Sequence, residues 1–176
     1  RGEWDPPQDR GAMIPPMLQV RGGTIDPPAD GMVAALDPGR SKCGLVRTDP
    51  RRLQIAEALV LPPDPCLERL LLWRRDLNLS LVVLGDGTGS RSWQQRLSAW
   101  MPVILVDERG STLAARRRYW QLERPRGWRR LLPEGLRLPP RDWDDVVAQL
   151  LLERWLGHPL ERGAGDGLNL RTQPAP

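Results

Sequence analysis

From Met32 onward the apolar positions fall into short blocks separated by turn residues. Met32 to Leu36 is a continuous apolar run ending at Asp37, Pro38-Gly39 turns the chain, and a second run extends from Cys43 to Thr48. Two such runs around a tight turn predict antiparallel strands. A third strand is expected within Arg52 to Leu61, before Pro62 to Pro65 break the chain. Leu67, Leu70, Leu71 and Leu77 recur at helical spacing and predict a helix over Cys66 to Leu77. Leu79 to Leu84 is almost wholly apolar, the pattern of a strand covered on both faces. A helix over Ser90 to Met101, a strand over Val103 to Val106, and a helix opened by Ser111 and reaching about Glu123 follow. The last helix is expected to start at Asp142 and end near Gly157.

A hairpin-led run of strands, continued by alternating helices and strands, specifies an α/β protein. The expected architecture is a mixed sheet with helices on both faces. The flanks read differently. Residues 1–31 are punctuated by Pro6, Pro7, Pro15, Pro16, Pro27 and Pro28 with no apolar period, and residues 159–176 are again rich in Gly and Pro. Such segments bury too little surface to offset their ordering entropy. The compact domain is therefore expected over residues 32–158, between a disordered N-terminal tail and a flexible C-terminal one.

Composition narrows the chemistry. A chain of 176 residues supports one domain with a substantial core. Its net charge of +4 is carried almost entirely by arginine, since Lys42 is the only lysine, and arginine suits phosphate through its planar fork of donors. His158 is the only histidine, which argues against Ser-His-Asp and Cys-His mechanisms. Cys43 and Cys66 stand in no metal or redox spacing and read as reduced core residues. No long apolar span or signal peptide is evident, so a soluble cytoplasmic protein with no membrane partner is expected.

The acidic residues carry the functional signal. In a sheet of this kind ligands bind outside the carboxyl ends of the parallel strands. Asp37, Asp86, Asp107 and Glu108 all fall at such ends. Asp144 shares a helical stripe with Val147, Ala148, Leu151 and Trp155, which places it on the face toward the sheet, with Asp145 nearer the edge of that face. Carboxylates gathered at one point repel each other unless a cation such as Mg²⁺ or Mn²⁺ sits among them. Each taken singly also fits a turn or helix-capping role.

Three segments together are similar to the YqgF/RuvX family of RNase H-like proteins, which includes pre-16S rRNA nucleases and homologues of Holliday junction resolvases. They are Leu36-Asp37-Pro38-Gly39 with Lys42 and Gly44; Val106-Asp107-Glu108-Arg109 followed by Ser111-Thr112 and Ala114; and Asp144-Asp145 leading into Leu150 to Leu156. The resemblance implies an RNase H-like mixed five-stranded sheet, three antiparallel strands then two parallel, with helices on both faces. It also implies catalytic, metal-binding acids at Asp37, Glu108 and Asp144, a site for two Mg²⁺ or Mn²⁺ ions, and phosphate contacts from Lys42 and Arg109. Asp86, Asp107 and Asp145 are further candidates. Gly85 to Ser90 departs from the family pattern, and Pro125 to Arg141 is longer than usual, as in a divergent subgroup.

Gly85 to Ser90 can offer backbone amides to a phosphate, or simply form a tight turn; it lacks the Gly-Lys-Ser/Thr element of a Walker loop. Arg116, Arg117, Arg118, Arg124, Arg126, Arg129, Arg130, Arg137 and Arg141 are interleaved with Tyr119, Trp120 and Trp128. Trp120 reads as core. Arg126, Arg129 and Arg130 with Trp128 read as a nucleic-acid surface, in which arginines hold phosphates while the ring stacks on a base. The leading expectation is a metal-dependent endonuclease on structured RNA or branched DNA, as a monomer or homodimer. The alternative is a catalytically weak or inactive nucleic-acid-binding module on the same fold. An actin-like ATPase shares the Asp-x-Gly loop but needs two such domains.

Overall fold

The structure, a computed structural model, describes residues 31–108, 111–123, 125, 127–131, 133 and 139–162, without the side chains of residues 111–113, 128 and 129. The strands are β1 (Val33–Asp37), β2 (Cys43–Thr48), β3 (Gln54–Leu61), β4 (Leu81–Gly85), β5 (Val103–Val106) and β6 (Glu161–Arg162). The helices are α1 (Pro63–Asp76), α2 (Ser90–Ser98), α3 (Ser111–Leu122) and α4 (Asp144–Leu156), with a 3₁₀ turn over Gly127–Leu131. All six strands form one mixed sheet in the order β5-β4-β1-β2-β3-β6. β1, β2 and β3 are antiparallel neighbours, while β4 runs parallel to β1 and β5 parallel to β4.

Alternation along β1 divides the core in two. Ala34 and Leu36 face α1 and α2, packing with Cys66, Leu70, Trp73, Trp93 and Leu97. Val33 and Ala35 face the other way, onto Ala148, Leu151 and Leu152 of α4. α3 lies outside α4, where Ala115, Tyr119 and Trp120 pack with Val146. Helices thus cover both faces, which is why β1 and β4 are almost wholly apolar. Cys43 and Cys66 are free and buried in the α1 side of the core, as expected. Among the described residues, no helix is long and apolar enough to cross a membrane.

Several boundaries move for local physical reasons. α1 starts inside the proline cluster instead of after it. Pro63 and Pro65 occupy the first turn, whose amides have no intrahelical acceptor, and the Cys66 N–H makes the first bond, to the Pro62 carbonyl (3.0 Å). α2 is opened by Gly89, which adopts the left-handed conformation (φ 95°), so Ser90 lies within the helix. α2 ends at Ser98, short of Met101, and α4 starts at Asp144, leaving Asp142 outside it. Among the described residues the sheet has six strands, not five. Gly157 (φ 78°) closes α4, Leu160 is buried, and Glu161–Arg162 pair in parallel with Gln54 and Ile55. A two-residue strand has no periodicity to read, so this piece was expected as tail. Residues 1–30 and 163–176, expected as tails, lie outside the described residues.

Candidate active site

Asp37 ends β1 on the side that faces α4. Its partner across the antiparallel pair is Gly44. On the parallel side Leu36 pairs with Leu84, and the register one residue further brings Gly85 beside Asp37. Paired residues present their side chains to the same face, so Asp37 is flanked there by two positions with no side chain. Both vacant places are used. A Cβ on Gly44 would lie 1.9 Å from the Asp144 carbonyl oxygen, so the start of α4 rests directly on this glycine. A Cβ on Gly85 would lie 1.8 Å from Glu108 Oε1, and one on Gly87 would lie 2.2 Å from Glu108 Oε2. The two strand glycines let Asp144 approach Asp37 from one side and Glu108 from the other, around the acidic hollow at the end of β1.

Glu108 is held from several directions. Its backbone N–H donates to Asp86 Oδ1 (3.0 Å), and the Asp86 N–H donates to the Val106 carbonyl (3.1 Å). The Gly87 N–H donates to the Glu108 carboxylate, yet Oε1 is buried with no hydrogen-bond partner. A buried carboxylate oxygen left unpaired is costly and marks a place where a cation or donor belongs.

The electrostatics agree with this geometry. Burial, then the charges of Glu108 and Asp144 and the Cys43 thiol, push the Asp37 carboxyl up to about 7. Burial first, then Asp86 and Asp107, raises Glu108 above the ordinary range, against the pull of the Gly87 amide. Burial also raises Asp144, helped by Asp142 and Asp145 and opposed by its own backbone amide and Lys42. Asp37 therefore carries the repulsion of both other acids, while Glu108 and Asp144 are each raised by burial and by their own nearer neighbours. Among the described residues, no group of three or more His, Cys, Asp or Glu side chains is placed to hold a metal ion.

The two neighbouring aspartates of α4 have separate roles. Asp145 is the more buried, 3 % exposed, and turns away from the hollow. Arg141 bonds to its Oδ1 (2.8 Å) and Arg162 to its Oδ2 (2.8 Å). Arg141 also bonds Glu123 (2.6 Å), whose other oxygen accepts from the Tyr119 hydroxyl (2.7 Å). Asp145 is thus neutralised by fixed arginines and is committed to the fold. Asp86 is exposed and holds the Glu108 backbone, and Asp107 is exposed with its carbonyl bonded by Arg154.

The expected phosphate-binding groups divide similarly. Lys42 is exposed and paired with Asp142 (2.5 Å). Arg118 is spent on Glu153 (2.8 Å) and the Leu160 carbonyl (2.8 Å), and Arg141 on Asp145 and Glu123, so neither belongs to an open basic surface. Trp120 is buried beside Tyr119 with ring centroids 5.0 Å apart, as core. Arg130 is exposed on the 3₁₀ turn; Arg109 and Arg126 lie outside the described residues, as do the side chains of Trp128 and Arg129. The Gly-rich loop after β4 uses its glycines chiefly to admit Glu108, a role that spacing alone did not reveal. The signal that could have found it is the Gly at both strand positions flanking Asp37.

No family model matches this chain, and no curated protein does. Among solved structures it is similar to the Aquifex aeolicus member of the Ppx/GppA protein family, at 12% identity and a TM-score of 0.29, over 56% of this chain. The matched region spans 42% of that protein, less than half its length, and a likeness this loose transfers nothing to the site.

Proposed function

We infer that this chain is a divalent-metal-dependent nuclease of RNase H-like type, similar to the YqgF/RuvX family, that hydrolyses phosphodiester bonds in structured RNA or branched DNA. The observation that carries the reading is the glycine-flanked strand end at which burial and the charges of Glu108 and Asp144 raise the proton affinity of Asp37. The sheet order supports it: three antiparallel strands followed by two parallel ones is the arrangement the family resemblance implies, here with β6 added at the β3 edge.

One buried oxygen favours a cation here. Oε1 of Glu108 is a buried anionic oxygen without a donor, and the donor set is oxygen-only, which suits Mg²⁺ or Mn²⁺. Asp37, Glu108 and Asp144 would hold it, and the bound metal would supply activation of water and stabilisation of the leaving oxygen. The chain's own contribution is to shape and charge the place. Asp37, whose carboxyl is pushed up to about 7, would hold a proton part of the time with no cation present and would release it to bind one. Gly44 and Gly85 leave the room that lets the start of α4 and the Glu108 carboxylate close in beside Asp37. Lys42, at the rim, and Arg109 would contact the phosphates.

The test is cleavage of a 16S rRNA precursor and of a four-way DNA junction, side by side, in Mg²⁺ or Mn²⁺. Cleavage of either that is lost in EDTA, in Asp37→Asn and in Asp144→Asn is the expected result. Tight binding with no cleavage would reduce the protein to a binding module, and neither binding nor cleavage would end the nucleic-acid reading.

A further inference from the structure

Lys42, the only lysine of the chain, stands at the end of the β1–β2 turn, and its Nζ lies 2.5 Å from Asp142 Oδ2, a partner 100 residues away. The two side chains are 51 % and 55 % exposed, so the pair is open to solvent. Both backbones are fixed. The turn is tight enough that a Cβ on Gly39 would lie 1.8 Å from the Lys42 carbonyl oxygen. The Asp142 carbonyl accepts from Arg141 (2.7 Å), which is itself anchored on Asp145 and Glu123. Lys42 also lies within the field of Asp144, and Asp142 adds negative charge at the same place. The pair therefore joins the two segments that border the acidic hollow, the Asp37 turn and the lead into α4.

We propose that Asp142 is a built-in competitor for substrate phosphate: it occupies Lys42 in the free protein, and a phosphodiester backbone must displace it to gain that contact. The proposal rests on the nucleic-acid reading above. It differs from plain repulsion between Asp142 and phosphate in one measurable way. Removing a competitor helps only if the cation it held is still present, whereas removing a repelling charge helps regardless. An exposed ion pair is weak, so the release of Lys42 should be worth about two- to fivefold in affinity.

The experiment is a double-mutant cycle on the full chain: wild type, Asp142→Asn, Lys42→Gln and the double variant. Binding to a fluorescein-labelled RNA stem-loop and to a four-way DNA junction is measured in Ca²⁺, so that affinity is read without cleavage, at about 50 mM and about 200 mM salt. The expected result is that Asp142→Asn tightens binding about two- to fivefold when Lys42 is present, on the RNA or the DNA arm, and has little effect when it is Gln. Lys42→Gln alone should weaken binding and flatten its salt dependence. Equal tightening in both backgrounds, or no tightening in either, overturns the competitor. If the wild type binds neither probe, the nucleic-acid reading fails first and the competitor with it.

Discussion

Replacing Asp37 by Asn should stabilise the metal-free protein, and the gain should grow as pH rises. Asp37 takes up its proton near pH 7 in the folded state against 3.8 as the ordinary value, because it is buried beside two other acids. A carboxyl with raised proton affinity in the native state costs stability once the unfolded chain can ionise it. The cost is absent below about pH 3.8, builds through the window up to about 7, and is constant above it. This is opposite in sign to a salt-bridged aspartate. At about 1.36 kcal/mol per pH unit, that span corresponds to about 4 kcal/mol, and solvent reaching the strand end reduces the usable figure to roughly 2–4 kcal/mol. Asn keeps the volume and cannot ionise. Urea unfolding of both proteins in EDTA at about pH 4.5, 6 and 7.5 gives the difference directly. The variant should gain little at the lowest pH and most at the highest. Mg²⁺ should then close the gap at high pH by stabilising the wild type, whose carboxylate can hold it. A difference that stays flat across the pH range would refute the raised proton affinity assigned to Asp37.

The remaining predictions concern the glycines and the second aspartate. Gly85→Ala should displace Glu108, since the new methyl would meet its Oε1, and should abolish metal-dependent cleavage; retention of wild-type cleavage would show that Glu108 is not needed where it lies. Gly44→Ala presses on the backbone at the start of α4 and should cost about 1–3 kcal/mol, read as a lowered urea midpoint. Asp145→Asn leaves Arg141 and Arg162 short of a buried counter-charge and should cost roughly 3–5 kcal/mol. If Asp145→Asn instead left stability unchanged and eliminated cleavage, the catalytic aspartate would be Asp145 and not Asp144.

Much of this protein was legible along the chain. Apolar blocks of strand length, Pro-Gly and Gly-rich punctuation, and the helical leucine spacing of α1 determined five strands, four helices and their order, because these elements bury regular faces and so leave regular patterns. The same patterning set Asp37 and Glu108 at strand ends and Asp144 on the sheet side of α4. What only the tertiary structure decided depends on contacts between distant segments. β6 exists because Leu160 is buried and Glu161–Arg162 pair with β3, not because two residues favour a strand. Asp144 and Asp145 are neighbours of identical chemistry, and arginines 4 residues before and 17 residues after Asp145 assign it to the fold. Lys42 and Asp142 meet across 100 residues. The roles of Gly44 and Gly85 follow from what occupies the space their missing side chains leave: the start of α4 in one case and the Glu108 carboxylate in the other. Periodicity records which face of an element is buried; it carries no record of which group from elsewhere in the chain arrives there.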